Sequence, residues 1–93
     1  MLTAAELHQR AVSAINAGRF GLARSLLDRA IGRATDEATV ASIEASLAYL
    51  EAETGDRARA MRLCERALAR PGVPEETRGA IHSQLGLLLM LAG

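Results

Sequence analysis

Three side chains in this 93-residue chain are of types that do metal or nucleophilic chemistry: Cys64, His8 and His82. A cysteine attacks as its thiolate, so it needs an adjacent base or cation to lower its pKa. A zinc site needs several such ligands, normally with two of them a few residues apart. Cys64, His8 and His82 fall on three separate predicted helices with no short paired spacing. Cys64 therefore reads as a small buried hydrophobe, and the histidines as exposed or groove residues. No catalytic residue, metal ligand or cofactor site is expected, and the chain reads as a non-enzyme. With one cysteine, no intramolecular disulfide can form. The pair Gly18-x-x-Gly21 neither follows a strand nor precedes Lys-Ser/Thr, so it is not a phosphate loop.

The remaining chemistry is charge. Arg29, Arg33, Arg62, Arg66 and Arg70 would form a ladder on a convex face, where phosphates could be met. Eleven arginines are balanced by eleven carboxylates, so there is no net basic field to attract nucleic acid or anionic lipid. The ladder reads instead as a solvated face with local partners such as Asp28 and Glu65. The longest near-apolar run, residues 85–92, is far short of the ~20 residues a bilayer requires. The N-terminus lacks a basic flank followed by an apolar stretch. The expectation is a cytoplasmic chain that binds neither membrane nor nucleic acid.

These residues have to be carried by helices. Thr3 and Glu6 form a capping box that opens a first helix running to about Ala17, with Leu7, Ala11, Ala14 and Ile15 on one stripe. Gly18 makes the turn. A second helix runs from Phe20 to about Arg33 and buries Phe20, Ala23, Leu27, Ala30 and Ile31. Thr35 or Asp36 caps a third, which packs Val40, Ile43, Leu47, Ala48 and Leu50 inward. Gly55 closes it, Asp56 opens a fourth that reaches Arg70, and Pro71-Gly72 stops that one. Pro74 then sits in the first turn of a fifth helix extending to Ala92. No strand candidate is present.

The helices repeat. Leu26-Leu27-Asp28-Arg29-Ala30-Ile31-Gly32-Arg33 returns, conservatively changed, as Leu63-Cys64-Glu65-Arg66-Ala67-Leu68-Ala69-Arg70, 37 residues later. Gly18 maps to Gly55, Ala23 to Ala60 and Ala11 to Ala48 at the same offset. Ala48 continues to Gly86, and Gly55 to Gly93, 38 residues on. A period in this range marks stacked units that bury their apolar faces on their neighbours.

Helix pairs with this pattern resemble the tetratricopeptide repeat. The matching positions are Leu47-Ala48 and Leu85-Gly86 in first helices and Gly18, Gly55 and Gly93 in turns. Phe20 follows the turn, and Ala23, Ala60, Ala30 and Ala67 stand in second helices. The spacing is longer than the family's, and Glu51 and Leu89 stand where its tyrosine is expected. The texture is also similar to repeats of large bacterial regulatory proteins carrying a caspase-like CHAT domain.

The resemblance implies an all-α, right-handed superhelix of antiparallel helix pairs forming one domain over residues 1–93. Its units would be residues 3–34, 36–71 and a half repeat over 74–93. It further implies a concave groove lined by His8, Gln9, Val12 and Asn16, by Ser46, Tyr49 and Glu53, and by Ser83, Gln84 and Leu87. A peptide, another protein or a neighbouring domain would be held there by Tyr49, aliphatic contact and amide hydrogen bonds. The alternative role is self-association. Residues 85–92 are apolar around the whole helix: Leu85, Leu88 and Ala92 can cover the fourth helix while Leu87, Met90 and Leu91 point elsewhere. Either the repeat array continues in a longer protein or the fifth helix packs on another copy, and both make the isolated chain a homo-oligomer.

Overall fold

Five helices account for nearly all of the chain: α1 (Ala4–Asn16), α2 (Phe20–Arg33), α3 (Glu37–Glu53), α4 (Arg57–Leu68) and α5 (Glu75–Ala92). The computed structural model describes residues 1–92, and the expected turn role of Gly93 lies outside them, as does any packing of the Ala92 side chain. No strand occurs among the described residues.

Local sequence chemistry sets the ends. At α1 the Thr3 hydroxyl accepts from the Glu6 amide at 3.1 Å, and the Glu6 carboxylate accepts from the Thr3 amide at 2.9 Å. The Thr3 amide, and next the Thr3 side chain, stabilise the Glu6 carboxylate and hold its pKa below the ordinary value. Asp36, rather than Thr35, caps α3 by accepting from the Thr39 amide and hydroxyl, which lowers the Asp36 pKa as well. Asp56 caps α4 through the Arg59 amide.

The turns after α1 and α3 are the same device. Gly18 and Gly55 take φ of 75° and 99°, a region open to glycine because it has no Cβ. In each turn the glycine amide donates three residues back and the next amide five back, Arg19 to Ala14 and Asp56 to Glu51, both at 2.8 Å. Two expected bounds move. α4 ends at Leu68 rather than Arg70, because the residue before Pro71 is driven out of helical conformation. Pro74 lies one residue before α5, and its carbonyl accepts the Arg78 amide.

Each helix packs on the next, and α3 also touches α1 and α5. The first helices of the units, α1, α3 and α5, therefore form one layer, with α2 and α4 as the second. The 17 Å short dimension of the molecule is two helices thick. The seam is small and aliphatic: Leu7, Ala11, Ala23, Leu27, Ala30, Ala41, Ile43, Ala48, Leu50, Ala60, Cys64 and Ala67 are all fully buried. Ala11 and Ala48, Ala23 and Ala60, Leu27 and Cys64, and Ala30 and Ala67 are 37-residue equivalents, so the sequence repeat is a repeat of environment. Leu26 joins this core although the expected α2 stripe omitted it; Phe20 and Ile31 are only partly buried.

Burial also fixes the register of the third unit. Ile43, Leu47 and Leu50 of α3 are buried, and the α5 residues 38 positions on, Ile81, Leu85 and Leu88, form the side of α5 that packs inward. Residues 37 positions from Ile43 and Leu50, Ala80 and Leu87, are exposed. The second offset is thus 38, as the sequence spacing predicts.

Candidate interaction groove

The outer side of the α1–α3–α5 layer carries the groove. Its central hollow, about 380 Å³, is lined by Val12, Ile15, Asn16, Ala45, Ser46, Tyr49 and Gln84. A second hollow, about 600 Å³, continues along α1 and is lined by Ala5, His8, Gln9, Val12, Ser13, Thr39 and Ser42. Of the ten residues expected in the groove, seven line these two hollows: His8, Gln9, Val12, Asn16, Ser46, Tyr49 and Gln84. Glu53, Ser83 and Leu87 are exposed residues of the same layer but line neither hollow. Ala45, Ile15, Ser13, Thr39, Ser42 and Ala5 were not anticipated; they follow from the α1–α3 cleft and not from a per-helix motif.

Two hydrogen bonds brace the groove floor. His8 Nε2 lies 2.7 Å from Ser46 Oγ, joining α1 to α3. The Gln84 amide donates to the Ala45 carbonyl at 3.1 Å and approaches Cys64 Sγ at 3.6 Å, joining α5 to α3 and α4. Gln84 is thus a strut as well as a lining residue. Partial burial pushes the His8 imidazole below its ordinary pKa, so its neutral form is favoured.

The His8–Ser46 spacing is one that a base and nucleophile use. Ser46 and His8 lie inside α3 and α1, where the backbone amides are committed to helix bonds. At these two positions, therefore, no backbone amide is free to hold an oxyanion. Cys64 is fully buried, and burial raises its thiol pKa, opposite to what a reactive thiolate needs. No three His, Cys, Asp or Glu side chains converge to hold a metal ion among the described residues.

What a ligand would meet is a row of three repeat-equivalent apolar side chains, Val12, Tyr49 and Leu87, one on each helix. They are 40%, 45% and 57% exposed. The lining beside Val12 and Tyr49 is uncharged: Ile15, Asn16, Ala45, Ser46 and Gln84.

The arginine ladder behaves differently from the expectation. Only Arg66 and Arg70 of it reach carboxylates, and these lie on α3, not beside them in sequence, whereas Arg29 and Arg62 are exposed as expected. Arg70 donates to Glu44 at 2.6 and 3.1 Å and to Glu37 at 2.8 Å, and Arg66 lies 3.7 Å from Glu44. Arg24 of α2 pairs with Glu51, which Arg59 of α4 also approaches at 3.7 Å. Arg33 donates to the Leu2 carbonyl. Glu44 and Glu51 are nearly fully buried, so Arg24, Arg59, Arg66 and Arg70 tie both second helices to α3. The bonds from both carboxylates push the Arg70 pKa further upward. No side chain among Arg29, Asp28 and Glu65 takes part in these pairs.

No helix among the described residues is long and apolar enough to cross a membrane. The chain matches no protein-family model, no curated protein and no solved structure.

Proposed function

We propose that the chain is a non-catalytic, tetratricopeptide-like interaction module that binds an extended or helical peptide segment in the α1–α3–α5 groove. In this reading the helix pairs wind as a right-handed superhelix, and the module is part of a larger bacterial, cytoplasmic regulatory protein of the CHAT type. The observation that carries it is the row Val12–Tyr49–Leu87: equivalent positions on α1, α3 and α5 expose apolar side chains, and Val12 and Tyr49 stand over a neutral, hydrogen-bonded floor. Aromatic residues rimmed by small polar groups are the usual anchors of a peptide contact. The absence of lysine, and of arginine among the lining residues, disfavours capture of a peptide carboxylate.

Selection of random peptides displayed on phage against the full chain tests this. The expected outcome is a consensus with one aliphatic or aromatic anchor, whose affinity falls about 10-fold or more on Tyr49→Ala, roughly 1.4 kcal/mol. Failure to enrich any consensus, or a consensus indifferent to Tyr49→Ala, would sink the proposal.

A second reading is supported by α5. Leu87, Leu89, Met90 and Leu91 are each more than half exposed on one helix. Such a face favours self-association of the chain. Leu89 belongs with the expected Leu87, Met90 and Leu91, a residue that the sequence reading passed over.

A further inference from the structure

The central hollow contains one polar group whose hydrogen-bonding sense is fixed. A main-chain carbonyl only accepts, so the nitrogen of the Gln84 amide, and not its oxygen, must face Ala45. The same nitrogen points its second hydrogen towards Sγ of the fully buried Cys64. Both donors of the amide are thereby committed inwards. No donor among the described residues reaches Gln84 Oε1, and no buried side-chain oxygen among them lacks a partner. Oε1 is therefore open to solvent, on the hollow that Gln84 lines. The Asn16 amide and the Ser46 hydroxyl, the other polar groups of this lining, carry no such restriction, because each both donates and accepts.

A fixed acceptor beside Tyr49, Val12 and Ile15 discriminates among the side chains that a bound segment could insert. Phenylalanine or leucine would cover Oε1 and leave it unpaired, which costs more than the bond itself contributes. A carboxylate would set acceptor against acceptor. Lysine or arginine would bring donors, but no carboxylate lines the hollow to pair with the charge. A main-chain N–H arrives with a carbonyl that needs a donor of its own, and Gln84 has none left to give. A tyrosine hydroxyl donates but likewise adds an acceptor. The indole of tryptophan meets every condition: a broad apolar body and one N–H that only donates. The volume of about 380 Å³ is at the small end of ligand pockets, the scale of one large side chain.

We propose that the central hollow is a tryptophan-reading subsite, in which Gln84 Oε1 accepts the indole N–H of a bound segment while the ring lies against Tyr49 and Val12. Gln84 is then the specificity-determining residue of the groove. This rests on the peptide-binding reading and names the anchor that reading leaves open.

Five peptide pools, randomised except for one central Trp, Tyr, Phe, Leu or Lys, should be selected against the full chain. The Trp pool should yield the tightest binders, with Trp→Phe in the best of them weakening affinity about 10-fold (roughly 1.4 kcal/mol). Benzothienylalanine, which replaces the indole N–H by sulfur at nearly constant shape, should weaken it similarly. The chain has no tryptophan, so the fluorescence of the peptide indole reports its own environment and should shift to the blue on binding. On Gln84→Met the preference for indole over benzothienyl should shrink to less than about two-fold. A merely structural loss of the strut would weaken both peptides alike and leave their ratio unchanged. Binders that depend on Tyr49 but accept Phe or Leu as readily as Trp, or an indole preference that survives Gln84→Met, overturn the subsite while leaving peptide binding standing. No binder from any pool overturns both. The comparison of peptides on the unaltered chain stands even if Gln84→Met fails to fold.

Discussion

Glu44 and Glu51 are the residues whose roles depend most on their neighbours. Each sits where α1 carries an apolar side chain, Leu7 and Ala14, and each is held by arginines from the second layer. A buried carboxylate is costly unless fully paired. Arg70→Ala removes the two shortest bonds to Glu44 and leaves Arg66 at 3.7 Å. Urea unfolding should then show a loss of about 2–3 kcal/mol. Glu44→Leu in the Arg70→Ala background should restore most of that loss, since Leu7 already fills the equivalent position in α1; no recovery would show that the site does not accept an apolar side chain. His8 supplies a pH dependence. Its folded pKa lies below the ordinary value of 6.5 because burial disfavours the imidazolium. The unfolded chain therefore binds more protons in that window. The contribution of His8 to stability is complete above pH 6.5 and is lost as the pH falls through the folded pKa. Melting temperatures should decline on acidification from pH 6.5 down through the folded pKa, and His8→Gln should flatten the decline. Neither role was legible in the sequence, where a glutamate or histidine amid alanines reads as exposed. The available signal was Glu44 and Glu51 spaced seven residues apart, on one face of α3, between two arginine-bearing helices.

At the scale of elements, the same sequence signals act locally and were readable. Capping residues and turn glycines need only the chain within a few residues of themselves, so Thr3, Glu6, Asp56, Gly18 and Gly55 do in the structure what their types imply. The ends that moved, at Arg70 and Pro74, are prolines acting on their immediate neighbours. Two glycine substitutions should separate conformational need from mere tolerance. Gly55→Ala forces a Cβ into φ of 99° and should cost more than about 1 kcal/mol. Gly32→Ala, inside α2 with open space around it, should instead stabilise by about 0.5–1 kcal/mol. Thermal unfolding that shifts in the same direction for both would contradict this account of the turn.

Across the whole molecule, stability runs through α3, among the described residues the only helix in contact with all four others. Ile43→Ala at its buried face should cost about 2–5 kcal/mol, a large part of the stability of a small domain, and lower hydrogen-exchange protection in every helix. Ile81→Ala removes the equivalent side chain from an outer helix and should raise exchange mainly in α5. Uniform loss in both variants would mean that the units do not differ in their coupling. The sequence by itself determined the helices, their turns, the 37- and 38-residue registers and the alanine–leucine seam, because periodicity and capping are properties of neighbouring residues. Only the tertiary structure decided that Arg66 and Arg70 are spent on the buried Glu44, that Gln84 is a strut, and that Ser83, Glu53 and Leu87 stand outside the hollows. Those facts depend on which side chains from distant positions meet across two layers.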